Sequence, residues 1–210
     1  MDDEIRDWLT CLQNPGFGSD DPQRVTAETV ILKMKSLGPD RLFPRLREAL
    51  KDPDPEFRCL GCSAICHIDP KLGIDLLLPM LDDPEALVRW HTCGLLHNFG
   101  DQRSVSPLMH ILKTDPDPQV RNTAAYALGG IGDAIAIPAL VEALDNDHEL
   151  DELGYSTSSN AASALDDILG TNYTRTKLFE NYCTLPTEPP DFELLKAEAM
   201  KYYLQQSLRT

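Results

Sequence analysis

No stretch of the 210 residues is apolar for anything near the ~18 residues of a membrane-spanning helix, so a membrane-embedded chain is excluded. The start, Met1-Asp2-Asp3-Glu4, carries neither a basic cluster nor a following apolar stretch; a secretory signal is therefore not expected, and the expected location is the cytoplasm. In that reducing compartment the six cysteines are read as thiols, and the Asn172-Tyr173-Thr174 sequon as unused. Bases are scarce: 19 Lys and Arg stand against 34 acids, for a net charge of −15. Such a surface repels a phosphate backbone and forgoes the counterion release that drives nucleic-acid binding, which excludes DNA and RNA as direct partners.

Motifs of chemistry are also missing. There is no Ser/His/Asp arrangement and no phosphate-cradling glycine loop, since Gly129-Gly130 reads as the end of a helix. His148-Glu149 is a single His-Glu pair in an inserted turn, too few for a di-iron centre assembled from several inward-facing pairs. Cys59, Cys62, Cys66 and His67, in CLGCSAICH, look like a metal cluster, but they lie along one helix and do not all face one way. Cys62 aligns with Cys93, Ala125 and Ala162 and is read as a small core filler. Cys59, Cys66 and His97 lack the paired short spacings of a structural zinc site, although a reactive thiol there stays open. No catalytic residue, metal or cofactor is expected.

What the sequence does contain is repetition. DPDPEFRCLGCSAICHI from Asp52, DDPEALVRWHTCGLLHNFGD from Asp82, DPDPQVRNTAAYALGGIGD from Asp115 and a degenerate NAASALDDILG from Asn160 can be laid over one another. Arg58, Arg89 and Arg121 recur at intervals of 31 and 32 residues, a period of stacked helix pairs that bury their apolar faces only against neighbours. A first helix, Gly73 to Leu81 or Ser104 to Leu112, carries apolar residues at helical spacing. An acidic, proline-containing turn follows, Asp to cap the next helix and Pro to sit in its first turn. The second helix then runs into Gly100 or Gly132, both read as left-handed C-caps. The predicted fold is all-α, a right-handed α-solenoid of about five stacked helix pairs plus a C-terminal helix. Asp52, Asp83 and Asp115 each precede Arg58, Arg89 and Arg121 by six residues, which predicts a structural Asp/Arg ladder between neighbouring units.

VRNTAAYALGGIGDAIAIPALVEALDN, from Val120 to Asn146, resembles the HEAT-like repeats of phycobilisome lyases, and the resemblance covers roughly residues 20 to 170. It implies the fold far more sharply than the function, because such repeats occur in bilin lyases, phycobilisome degradation factors, toxin-neutralising proteins and scaffolds. Repeats are placed at about 4–38, 41–72, 73–103, 104–135 and 136–170, an irregular linker at 171–190 and a C-terminal amphipathic helix at 191–210. The opening unit, Ile5 to Leu12 and Val25 to Leu37 around the turn GFGSDDPQ, is atypical, as a terminal unit must be. The turn NDHELDELGYSTSS is lengthened, and such insertions often serve binding. In the last helix Phe192, Leu195, Ala199, Met200, Tyr203 and Leu208 fall roughly on one face, predicted to cap the last repeat or else to lie in the groove or on a second subunit.

Counting from each repeat arginine, positions −1, +3, +6, +7 and +10 of the second helix converge on one side, in the second copy Val88, Thr92, Leu95, Leu96 and Phe99, and are predicted as core. Positions +1, +5 and +8 converge elsewhere: Cys59, Ser63, Cys66; Trp90, Gly94, His97; Asn122, Tyr126, Gly129; and Ser159, Ser163, Asp166. This column is predicted to line a concave, acidic groove, with Trp90 and Tyr126 as anchors, His97, Asn122 and Asp166 beside them and His91 at the edge. The expected function is non-enzymatic binding of a partner protein, one with a basic surface that acidic charge steers into encounter. The resemblance implies an alternative, a bilin lyase-like or phycobilisome-associated chaperone in which Tyr126, His97, Trp90 and Asp166 hold an open-chain tetrapyrrole.

Overall fold

The computed structural model describes residues 3–13, 27–147, 149, 156–171 and 192–208. The turn GFGSDDPQ, most of the lengthened turn after Asp147, His148 and the segment 172–190 lie outside them. The described residues are all-α, of the helix-pair solenoid class, and the chain falls into two compact units, Met1–Leu95 and Leu96–Thr210.

The first unit holds α1 (Asp3–Gln13), α2 (Ala27–Ser36), α3 (Pro39–Ala49), α4 (Pro55–Ile68), α5 (Pro70–Leu77) with a 3-10 turn (Leu78–Asp82), and α6 (Ala86–Phe99) up to Leu95. Helices α1, α2 and α3 all pack on α4. Ile5 and Leu9 of α1, Val30 and Met34 of α2 and Leu42 and Leu46 of α3 form one buried cluster with Ile65. These residues recur at i, i+4, which keeps each helix's apolar stripe on the shared core.

The second unit contains α7 (Gln102–Thr114), α8 (Pro118–Ile131), a 3-10 turn (Ala134–Ala136), α9 (Ile137–Asn146), α10 (Thr157–Leu169) and α11 (Phe192–Ser207). First helices α7 and α9 pack together, as do second helices α8 and α10, so the two pairs stack layer on layer. Helix α11 packs on α9, α10 and the 3-10 turn between α8 and α9. Leu195 and Ala199 are its buried residues, while Lys196 Nζ donates to Asp145 at 2.7 Å. Leu208, expected on the covered face, is 88% exposed: it lies on the final turn, beyond the surface that the stacked pair offers.

The acidic turns explain where the helices start. Asp54, Asp69, Asp101 and Asp117 each accept a hydrogen bond from a backbone N–H in the first turn of the next helix, and Pro55, Pro70 and Pro118 follow at the position whose N–H has no helical partner. The fifth helix therefore starts at Pro70 rather than at Gly73, and Gly73 lies inside it because a Cβ there would meet Cys66 at 3.3 Å. Gly132 closes α8 at φ +75°, as predicted, and Gly170 closes α10 at +66°. Gly100 is not left-handed; a side chain there would collide with the Leu96 carbonyl, 2.3 Å from the Cβ position.

Candidate functional site

The repeat arginines join the turns. In each DPDP copy the first aspartate accepts from the N–H two residues on, at 3.0 Å for Asp52 and 2.9 Å for Asp115. Each arginine then donates Nη1 to the carbonyl six residues earlier: Arg58 to Asp52 at 2.8 Å, Arg89 to Asp83 at 2.9 Å and Arg121 to Asp115 at 3.0 Å. The remaining fork of Arg58 grips Asp83 in the next turn, Nε to Oδ2 at 2.8 Å and Nη2 to Oδ1 at 2.7 Å. Arg121 grips Asp147 in the same two-pronged way, at 2.6 and 3.1 Å, and Glu149 at 2.8 Å. Arg6 donates to Asp52 at 2.8 Å and so extends the series into the opening unit. Burial works to raise the Asp147 carboxyl, but the bonds from Arg121 help to outweigh it and hold the group below its ordinary value. These guanidiniums are spent on structure.

The expected exposed column turns out to be displaced. Cys59, Cys66, Asn122, Gly129 and Asp166, all at +1 or +8, are buried. Asn122 is 4% exposed and its Oδ1 accepts from the Asn160 Nδ2 of α10, while Asp166 is 2% exposed and accepts from the Thr171 hydroxyl. Gly129 presses on α10 so closely that a Cβ would sit 2.8 Å from Ala164 Cα. Asn122 and Gly129 face the neighbouring second helix, α10. The solvent-facing strip is +2, +5 and +9: Leu60, Ser63 and His67 of α4, Thr123, Tyr126 and Gly130 of α8, and Asn160, Ser163 and Asp167 of α10 are all exposed or half-buried. At about 100° per residue the strip lies about 65° round the helix from the predicted column.

In the first unit Trp90 is 37% exposed. His91, next to it, is half-buried and fastens α6 to α4, its Nε2 lying 2.8 Å from Ser63 Oγ. Burial pushes the His91 imidazole below its ordinary value even though the Cys59 carbonyl favours the charged form, so at neutral pH His91 is uncharged. Burial also pushes the Cys59 thiol up to about 11 and Cys66 to about 12, and it raises Cys62 as well. These thiols stay protonated at neutral pH, which removes the nucleophile that an exposed column had left open. Among the described residues no three His, Cys, Asp or Glu are placed to hold a metal ion.

In the second unit the His97 and Tyr126 rings stack at 3.9 Å between centroids and 13° between planes, and His97 Nδ1 lies 3.2 Å from the Tyr126 carbonyl oxygen. Tyr126 is 47% exposed nonetheless. Sequence reasoning singled out both rings but not their contact, nor Asn160 and Asp167.

Residues 74–154 match the family model of HEAT repeats. The solved structure of Kap121p bound to Pho4p superposes with a TM-score of 0.53 at 14% identity, covering 86% of this chain and 22% of that one. Kap121p alone gives 0.52 at 15% identity, over 87% and 21%. This chain thus spans about a fifth of the length of these karyopherin chains. A designed armadillo repeat protein in complex with the peptide (KR)4 superposes at 0.50 and 17% identity, over 93% of this chain and 99% of that one. These likenesses are of fold. No curated protein sequence matches the chain.

Proposed function

We propose that the protein is a non-enzymatic interaction module that binds a partner protein through the exposed strip of its second helices, in place of the groove column expected from the sequence. The observation that carries this reading is the preorganised stack of His97 of α6 on the exposed Tyr126 of α8, a large aromatic surface fixed beside a second-unit strip otherwise made of small and polar side chains. Tyrosine and tryptophan held rigid before binding are the side chains that anchor interfaces, because little rotamer freedom is lost when a partner covers them. Trp90, at +1 rather than on the strip, is a further exposed aromatic in the first unit. The repeat fold supports the same reading, since stacked helix pairs display long rows of side chains from rigid elements. The net charge of −15 favours a partner with a basic surface and accelerates its arrival.

The test is affinity capture from native lysate with the parent protein and with Trp90→Ala, Tyr126→Ala and the double variant. A stoichiometric partner retained by the parent is expected to be weakened ~10-fold or more by the double variant, in line with the loss of one or two interfacial anchors. Partners held equally by all four proteins would place binding elsewhere.

A further inference from the structure

The surface around Tyr126 has the chemistry of an arginine subsite. Gly129 and Gly130 lie in the last turn of α8, one turn beyond Tyr126, and they carry no side chain for different reasons. Gly129 lies against Ala164, and the Asp167 Oδ2 oxygen stands 3.5 Å from where its Cβ would be. Gly130 is exposed, and a Cβ there would fall 2.3 Å from His97 Nδ1. The aromatic stack thus lies against Gly130 and a carboxylate stands beside the adjoining Gly129, all within the second unit. Asn160 sits on the same strip, its amide group committed to the Asn122 oxygen, which turns the amide end inward.

We propose that this surface binds an arginine side chain presented by an extended, basic segment of the partner protein, the guanidinium stacking on Tyr126 and bonding to Asp167. The proposal rests on the protein-binding reading above and names the chemistry of the partner. A planar guanidinium is weakly hydrated, stacks on an aromatic ring and offers paired N–H groups to a carboxylate, whereas a lysine ammonium does not stack and meets the carboxylate as a point charge. The chain's excess of acids draws such a segment in, while the ring and carboxylate decide between the two bases.

The experiment is fluorescence anisotropy of the full chain with three labelled octapeptides alternating glycine with arginine, lysine or citrulline, at physiological salt. The arginine peptide is expected to bind ~10-fold more tightly than the lysine peptide and the citrulline peptide weakest of all. Tyr126→Ala is expected to remove the preference for arginine, Tyr126→Phe to keep it, and Asp167→Asn to reduce it, with melting temperatures confirming that each variant folds. Equal binding of the arginine and lysine peptides, untouched by Tyr126→Ala, would overturn the subsite. A captured partner that Tyr126→Ala weakens, but that an excess of the arginine peptide fails to displace, would also overturn it while leaving the protein-binding function standing. No partner and no peptide binding would remove both.

Discussion

At the scale of single residues, the arginine spacing was the most informative pattern in the sequence, and its physical basis is double. The six-residue interval back to aspartate lets each Nη1 close its own turn on a carbonyl, and the rest of the guanidinium reaches the next turn's carboxylate. Arg6 and Asp147, the partners at the outer turns, were not recognised, although Asp147 follows Arg121 by 26 residues much as Asp83 follows Arg58 by 25. Asp147 was hidden by the lengthened turn, which broke the alignment of the fourth copy. Arg58 and Asp83 side chains are only 9% and 6% exposed, so removing one strands the other in a dry setting. Arg58→Ala is expected to destabilise the fold by ~3–5 kcal/mol, measured by denaturant unfolding. A loss under ~1 kcal/mol would mean that Asp83 finds water or another donor.

At the scale of helices, the core side was legible because helical periodicity alone determines it: Val88, Thr92, Leu95 and Leu96 are all buried, and Phe99, near the helix end, is half-buried. The exposed column was displaced because a second helix has two burial demands, one on its own pair and one on the next second helix. Period 3.6 within one helix carries no information on the direction of that second neighbour. Small residues mark it after the fact: Gly129 faces Ala164, and Asn122 meets Asn160. Gly129→Ala is therefore expected to push α8 and α10 apart, costing ~1–3 kcal/mol by overpacking and lowering the melting temperature. Gly132 has open space around it but a left-handed backbone, so its substitution is strained for a different reason.

At the scale of the whole molecule, charge sets the response to pH. Asp52, Asp101 and Asp147 are held below the ordinary aspartate value of 3.8. At Asp52 and Asp147 burial opposes the shift and the hydrogen bonds from N–H groups and arginine outweigh it, while at Asp101 the Arg103 bond leads. A carboxyl depressed in the folded state binds fewer protons than in the unfolded chain, so its contribution is complete above 3.8 and is lost as pH falls through the folded value. Stability is therefore expected to fall steeply below about pH 4, and Arg121→Ala should flatten part of that fall. His91, also depressed, acts in a higher window: the unfolded imidazole takes up a proton near 6.5 while the buried one does not, so stability declines as pH drops below that value. His91→Gln should remove this shallower slope in melting temperature against pH, and a slope unchanged in the variant would assign it to another group. Fold class was readable from repetition, whereas the stacked rings depend on which residues meet across helices.

The most direct test of the central claim is hydrogen-exchange footprinting of the captured complex. The account predicts protection along the second helices, strongest on α8 around Tyr126 and on α10 from Ser159 to Asp167, with α7, α9 and α11 unchanged. Protection confined to α7, α9 or α11, with α8 and α10 exchanging as in the free protein, would contradict it.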